Sequence, residues 1–424
     1  MARSDYTLAV FDENGNETRD QQGNLGSEKA AARMQNEATT DVFLMSHGWK
    51  GDVPSAIQQY DAWTDALMKC KDDLTKLGTQ RPGFKPLIVG FHWPSQPWGD
   101  EAAIASFALT LTAPAFDPVA DYAQRLGGTP EIRAAVQKVF TETAASPSPN
   151  KMSPGLAQAY IDLNNLLNLG ADGAGGAPGA DRAPFDPVKV FEASKILDRR
   201  AASFGGFTVG GLLDTLRSLS FWTMKDRGRK LGETAGANLL KALQKAAAGR
   251  DVHFHLMGHS FGCIVVSAMA AGAAPVQSLV LVQGAFSLWS YANAIPKLPL
   301  IPGYFRSVLK DGKVLGPIAT TQSPFDRAVG VFYPLGAGAA GQASFDVLDL
   351  PIFGGVGTWG LQGVEHIVPL GSMLGVPQQY GFQPGQIYNI ASGNIIKALD
   401  GISGAHSDIS HPEVGHVVWQ AAMA

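Results

Sequence analysis

Short apolar runs recur along the chain between stretches with helical spacing. Val42–Ser46 (VFLMS) and Pro86–Phe91 (PLIVGF) are nearly continuous in their apolar residues, so each predicts a strand buried on both faces, as in a parallel sheet. Val252–Met257 predicts a third strand, and Leu279–Val282, Ile318–Thr321 and Ile387–Ile390 are further candidates. Between the first two runs, Ile57, Tyr60, Trp63, Leu67, Cys70 and Leu74 fall three or four apart. That spacing predicts one helix from about Pro54 to Leu77 with a single buried face. Thr234–Ala248 reads as a helix, and another starts near His411, where Ser410 and Glu413 have the S-x-x-E spacing of a capping box. Strands alternating with helices predict an α/β fold, a mostly parallel sheet flanked by helices.

The rhythm breaks between Pro94 and about Lys230. Helical stretches, Pro130–Ala145 and Gly155–Leu169, are separated there by Ser146-Pro147-Ser148-Pro149. Gly170–Ala180 is almost entirely Gly, Ala, Pro and Asp, a composition that predicts a mobile loop. The expected division is a core from residues 1–95 and 230–424 with a largely helical cap insertion at 96–229. Trp98, Phe107, Leu109, Leu111 and Phe116, with the apolar helices, predict an acyl pocket that is greasy rather than charged; these five lie outside the residues whose structure is described below. Its helices carry apolar stripes such as Ile132, Val136, Val139 and Phe140, expected to cover the sheet's carboxyl edge.

Composition narrows the class. The 424 residues are 45% hydrophobic and 17% charged, with a formal net charge of −4. Basic residues are scattered, so a nucleic-acid partner is not expected. Cys70 and Cys263 imply no disulfide framework. No run approaches the ~18 apolar residues needed to cross a bilayer. The first residues lack a signal-peptide pattern, which gives a cytoplasmic location as the expectation.

Against this background one motif carries chemistry. Gly258-His259-Ser260-Phe261-Gly262 follows a predicted strand and precedes a small-residue helix. A G-x-S-x-G in that context places serine on a strained turn, with its oxygen clear of the sheet. On these residues the sequence resembles the α/β-hydrolase superfamily, in its esterase and lipase branch. The resemblance covers the segments from about Val42 to Trp93 and Glu233 to Trp419, not the insertion. It implies a nucleophile at Ser260, an acid at Asp326 after the strand Ile318–Thr321, and a base at His406 after the last strand. It also implies an oxyanion hole formed by the amides of Trp49, in the His47-Gly48-Trp49 loop, and of Phe261. His47, His92 and Trp93 stand at strand exits and are candidates to line the substrate pocket. Asp400 and Asp408 are the rival acids, and His366 is the rival base.

The activity so implied is hydrolysis of a small-molecule or lipid-like apolar ester through an acyl-enzyme, with no cofactor and no metal. Thioesterase and acyltransferase chemistry, or a non-catalytic binding protein on the same fold, are the alternatives. Two G-x-G-x-x-G matches, Gly336–Gly341 and Gly355–Gly360, are not followed by convincing helices, which speaks against a dinucleotide site. His253 and His255 share a strand face, a spacing some metal sites use, but packing is the simpler reading. His411 and His416 lie about 140° apart on a helix and cannot share one ion.

Overall fold

The computed structural model describes residues 5–49, 52–95, 117–145, 151–202, 214–295, 300–333 and 350–424. Eight strands form one sheet: β1 (Tyr6–Val10), β2 (Asp41–Ser46), β3 (Pro86–His92), β4 (His253–His259), β5 (Ser278–Val282), β6 (Ile318–Gln322), β7 (Ile367–Leu370) and β8 (Ile387–Ala391). Their order is β1-β3-β2-β4-β5-β6-β8-β7, and every neighbouring pair is parallel. The central strands are those the apolar runs predict. The edge strands β1 and β7 are additions to the expected set. β7 contains Pro369, which has no amide to donate and is tolerated because the strand has a neighbour on one side only.

Side chains of the central strands alternate between two cores. Val42, Leu44, Leu87 and Val89 face helices Gly26–Asn36, Ala237–Ala246 and Gly262–Gly272. Phe43, Met45 and Ile88 face helices Val53–Lys69, Lys71–Gln80 and Pro412–Ala422. The strand order reverses between β2 and β4. That reversal opens a crevice at the carboxyl ends of the strands, where α/β sheets place their sites.

Two helix expectations are corrected. The helix expected from Pro54 to Leu77 is two helices, Val53–Lys69 and Lys71–Gln80, broken at Cys70, whose ψ is 58°. Cys70 Sγ there donates to the Pro412 carbonyl at 3.1 Å, and Asp73, in the first turn of the second helix, accepts from His416 and Gln420. The capping box at Ser410 does not form. His411 is the N-cap but its side chain does not cap the helix, and Pro412 opens the helix, where its missing amide costs nothing.

The insertion has a core of its own. Helices Pro118–Arg125, Pro130–Ala144 and Pro154–Leu167 each begin with proline, after Asp117, Thr129 and Ser153 whose side chains cap the first turn. Ile132, Val136 and Val139 are buried with Leu156, Tyr160 and Leu163 inside the insertion. The stripe expected to cover the sheet's edge is therefore satisfied by neighbouring insertion helices. The expected start of a helix at Thr234 also moves. Helix Asp214–Leu231 continues through a π turn, Gly232–Gly236, into Ala237–Ala246. A Cβ on Gly232 would lie 2.7 Å from the Val265 carbonyl, so this run packs backbone-close on the helix behind Ser260.

Gly170–Ala180 corrects a further expectation: it is a folded loop, buried at Ala174, Gly175 and Pro178–Ala180. Asp172 and Gly173 donate to the carbonyls of Ala180 and Arg182, and Tyr304 donates to that of Gly175. Ala174 packs with Leu288, Trp289, Ala292 and Ile295. Small residues here let backbone meet side chain directly: a Cβ on Gly175 would stand 2.6 Å from Ile295. Compositional simplicity marks close packing at this place, not disorder.

At the end of that loop Asp181 is fully buried and binds Lys225 Nζ at 2.6 and 2.5 Å. The Tyr333 hydroxyl donates to Asp181 at 2.6 Å. Burial lowers Lys225 to about 8, against the opposing pull of Asp181. Among the described residues no helix is long and apolar enough to cross a membrane.

Removing one partner of a buried pair strands the other charge. Lys225→Met should destabilise the protein by about 3 kcal/mol or more. Asp181→Asn combined with Lys225→Met should recover most of that loss. Urea unfolding of the three proteins checks both statements, and equal stability of wild type and Lys225→Met would refute them.

Candidate active site

β4 runs directly into Ser260, whose φ is +56°, and then into helix Gly262–Gly272. A non-glycine residue in this region is strained and persists only where its surroundings hold it. The Ser260 amide donates to the Val282 carbonyl at 3.1 Å, and its carbonyl accepts from Cys263 and Ala285. A Cβ on Gly262 would lie 2.2 Å from the Ser46 carbonyl, and one on Gly48 would lie 2.6 Å from Ser260 Cβ. The turn after β4 and the loop after β2 touch, and the contact admits no side chain.

The structure brings Ser260, Asp326 and His406 together. His406 Nε2 is 2.7 Å from Ser260 Oγ, and His406 Nδ1 is 2.8 Å from Asp326 Oδ2. Asp326 lies beyond β6 and is buried. Its Oδ2 also accepts from Gln283 Nε2 at 2.9 Å, and its Oδ1 from the Val329 amide at 3.0 Å. Three donors orient the carboxylate. Gly357 leaves room for it: a Cβ there would be 3.0 Å from Asp326 Oδ2. With Nδ1 donating to Asp326, His406 Nε2 faces Ser260 as an acceptor, the arrangement a general base needs.

The rival residues are placed elsewhere. Asp408 accepts from the amides of Lys397 and Ala398 and pairs with His411. Asp400 is exposed and pairs through its backbone with Gly404. His366 is exposed beside Glu365. His255 and His253 do converge with Asp41, but Arg81 bonds both Asp41, at 2.5 Å, and His253. A guanidinium thus stands where a cation would sit.

His47, His92 and Trp93 support the loop after β2. The Trp93 indole donates to the His47 carbonyl at 3.1 Å, and the Trp93 amide donates to His47 Nε2 at 3.3 Å. His47 Nδ1 donates to the Gly48 carbonyl at 2.7 Å, which also accepts from Ser95 Oγ at 2.9 Å. His47 and Trp93 are fully buried. Anchoring that carbonyl has a geometric consequence. In a planar trans peptide the N–H points opposite to the C=O, so the Trp49 amide is turned away from His47 and Ser95. The Phe261 amide stands at the N-terminus of the following helix, where the first amides have no partner within the helix. The Trp49 ring stacks on Phe261 at 5.7 Å, and Phe221, from the long helix of the insertion, packs on Phe261 at 5.0 Å.

Gln283, Ser95 and Phe221 join the site from positions that local sequence reasoning passes over. Only Gln283 carries a signal, since it follows the last residue of β5 at a strand exit.

Burial lowers His92 from 6.5 to about 4, with Asp52 a weak opposing influence. The unfolded chain therefore takes up this proton first as pH falls. The stability contributed by neutral His92 is held above about 6.5 and lost on descending toward 4. In urea unfolding across that window, His92→Gln should show a shallower fall in stability than wild type. Parallel curves would refute the assignment.

No family model matches the chain, and comparisons with curated proteins and with solved structures find no match either.

Proposed function

We propose that this chain is a serine hydrolase of the α/β-hydrolase type, cleaving carboxylic esters through an acyl-enzyme. The observation that carries the reading is the unbroken series Ser260 Oγ, His406 Nε2, His406 Nδ1, Asp326 Oδ2, with contacts of 2.7 and 2.8 Å. The parallel sheet, the strained turn and the serine–acid–histidine chain order support it.

His406 takes the proton of Ser260 as Oγ adds to the ester carbonyl. Asp326 holds the ring and stabilises the imidazolium that forms. The negative charge on the former carbonyl oxygen is met by the amides of Trp49 and Phe261. His406 then gives its proton to the departing alkoxide, which leaves as the alcohol, and the acyl group stays on Ser260. Water, deprotonated by the same ring, releases the acid. The aromatic group of Trp49, Phe221 and Phe261 beside the nucleophile suits an apolar acyl chain. A neutral small ester also fits a chain with a net charge of −4 better than a polyanion does.

A fluorophosphonate probe should label the protein at one site, and Ser260→Ala should abolish both the label and turnover of p-nitrophenyl esters. His406→Ala and Asp326→Asn should each lower kcat by roughly 10⁴-fold while the protein stays folded. Label that persists in Ser260→Ala would sink the nucleophile assignment. A larger loss in Asp408→Asn than in Asp326→Asn would sink the acid.

A further inference from the structure

We propose that His259, the residue before the nucleophile, is a positioning residue that holds the backbone of the base, with Gln59 fixing its ring. This rests on the reading of Ser260, Asp326 and His406 as a triad. His259 Nε2 lies 2.9 Å from the carbonyl oxygen of His406. A carbonyl only accepts, so Nε2 bears the hydrogen and donates it. In the neutral ring Nδ1 is then an acceptor, and Gln59 Nε2 donates to it at 3.3 Å. The Trp63 ring meets His259 edge-on, with centroids 6.1 Å apart and planes at 90°. The rings of His259 and His406 lie 5.0 Å apart, and His259 is buried. Gln59 and Trp63 both belong to helix Val53–Lys69. One line of contacts thus runs from that helix, through the elbow, to the base.

The base needs such a tether. His406 sits in a long connection between β8 and helix Pro412–Ala422. Ahead of it, the Ala405 amide donates to the Phe325 carbonyl at 2.8 Å, and Gly404 bridges Asp326. Beyond it, Asp408 is engaged with Lys397, Ala398 and His411. The peptide of His406 itself is held by His259. Because His259 is covalently next to Ser260, nucleophile and base are referenced to one another across one peptide unit and one hydrogen bond. Displacing a reacting group by about 1 Å can cost on the order of a hundredfold in rate, so a tether at this point governs turnover more than binding.

The test compares wild type, His259→Leu, His259→Asn and Gln59→Leu. His259→Leu removes the donor, Asn restores an N–H, and Gln59→Leu releases the ring. For His259→Leu we expect kcat on p-nitrophenyl esters to fall roughly tenfold or more with KM little changed, and fluorophosphonate labelling to slow in parallel. His259→Asn should regain part of the loss, and Gln59→Leu should show a smaller fall in kcat. Proton NMR supplies a readout independent of substrate. The Nδ1 proton of His406, bonded to Asp326, should give a low-field resonance that disappears in His406→Ala and is shifted or broadened in His259→Leu. Wild-type kcat and an unmoved resonance in His259→Leu overturn the proposal. Should that variant fail to fold, Gln59→Leu decides, and an unchanged kcat and resonance there overturn it. A wild type that carries the resonance yet takes no label and cleaves no ester overturns the hydrolase reading instead, while the resonance in His259→Leu still decides the role of His259.

Discussion

The carboxyl edge of the sheet is built around the close approach of two backbones, the exit of β2 and the turn that follows β4. Ser260 can adopt its left-handed conformation because the chain on either side and the loop opposite give up their side chains. Gly48 borders the serine Cβ, and Gly262 borders the carbonyls of Ser46 and His47. The same approach that holds the Ser260 turn also brings Gly48, and with it the Gly48–Trp49 peptide, against the serine Cβ. His47 and Ser95 then set which way that peptide faces. An added methyl group at either glycine would collide across this contact, with the Ser260 Cβ at Gly48 or with the Ser46 carbonyl at Gly262.

The insertion is joined to this edge by different physics. Phe221 reaches the aromatic group beside the elbow, and Lys225, four residues further along the same helix, ends in the buried pair with Asp181. Hydrophobic contact supplies attraction with little directional preference, whereas a buried pair is costly unless both partners are in register. The pair therefore acts as a locating pin between the insertion helix and the loop that ends at Asp181. The Tyr333 hydroxyl links the same pin to the segment following Asp326.

Much of this arrangement was legible in the sequence where a local pattern dictates it. The apolar runs marked the central strands because a strand buried on both faces needs no alternation. The convergence of Ser260, Asp326 and His406 was legible because a parallel sheet delivers its strand exits to one edge. What was not legible depends on long-range contact. Nothing near Gln283 announces that its side chain will bond Asp326, and nothing near Ser95 announces the Gly48 carbonyl. The misreadings have one cause as well. Gly170–Ala180 looked like a linker because small residues are common to linkers and to close packing. The stripe on Ile132, Val136 and Val139 was assigned to the wrong neighbour because a stripe shows that a face is covered, not by what. Cys70 interrupts a helix whose apolar spacing carries straight through the break.

The helical run from Asp214 to Ala246 also has a mechanical meaning. At about 1.5 Å per residue its contour runs for about 50 Å. One end lies in the insertion's core, and the middle is held to the helix following Ser260 through Gly232 and Gly236. Its passage from insertion to sheet falls in mid-helix, at Leu231 and Gly232, where no loop intervenes. The insertion is thus spliced to the sheet through one shared helical run that lies backbone-close on the helix following Ser260.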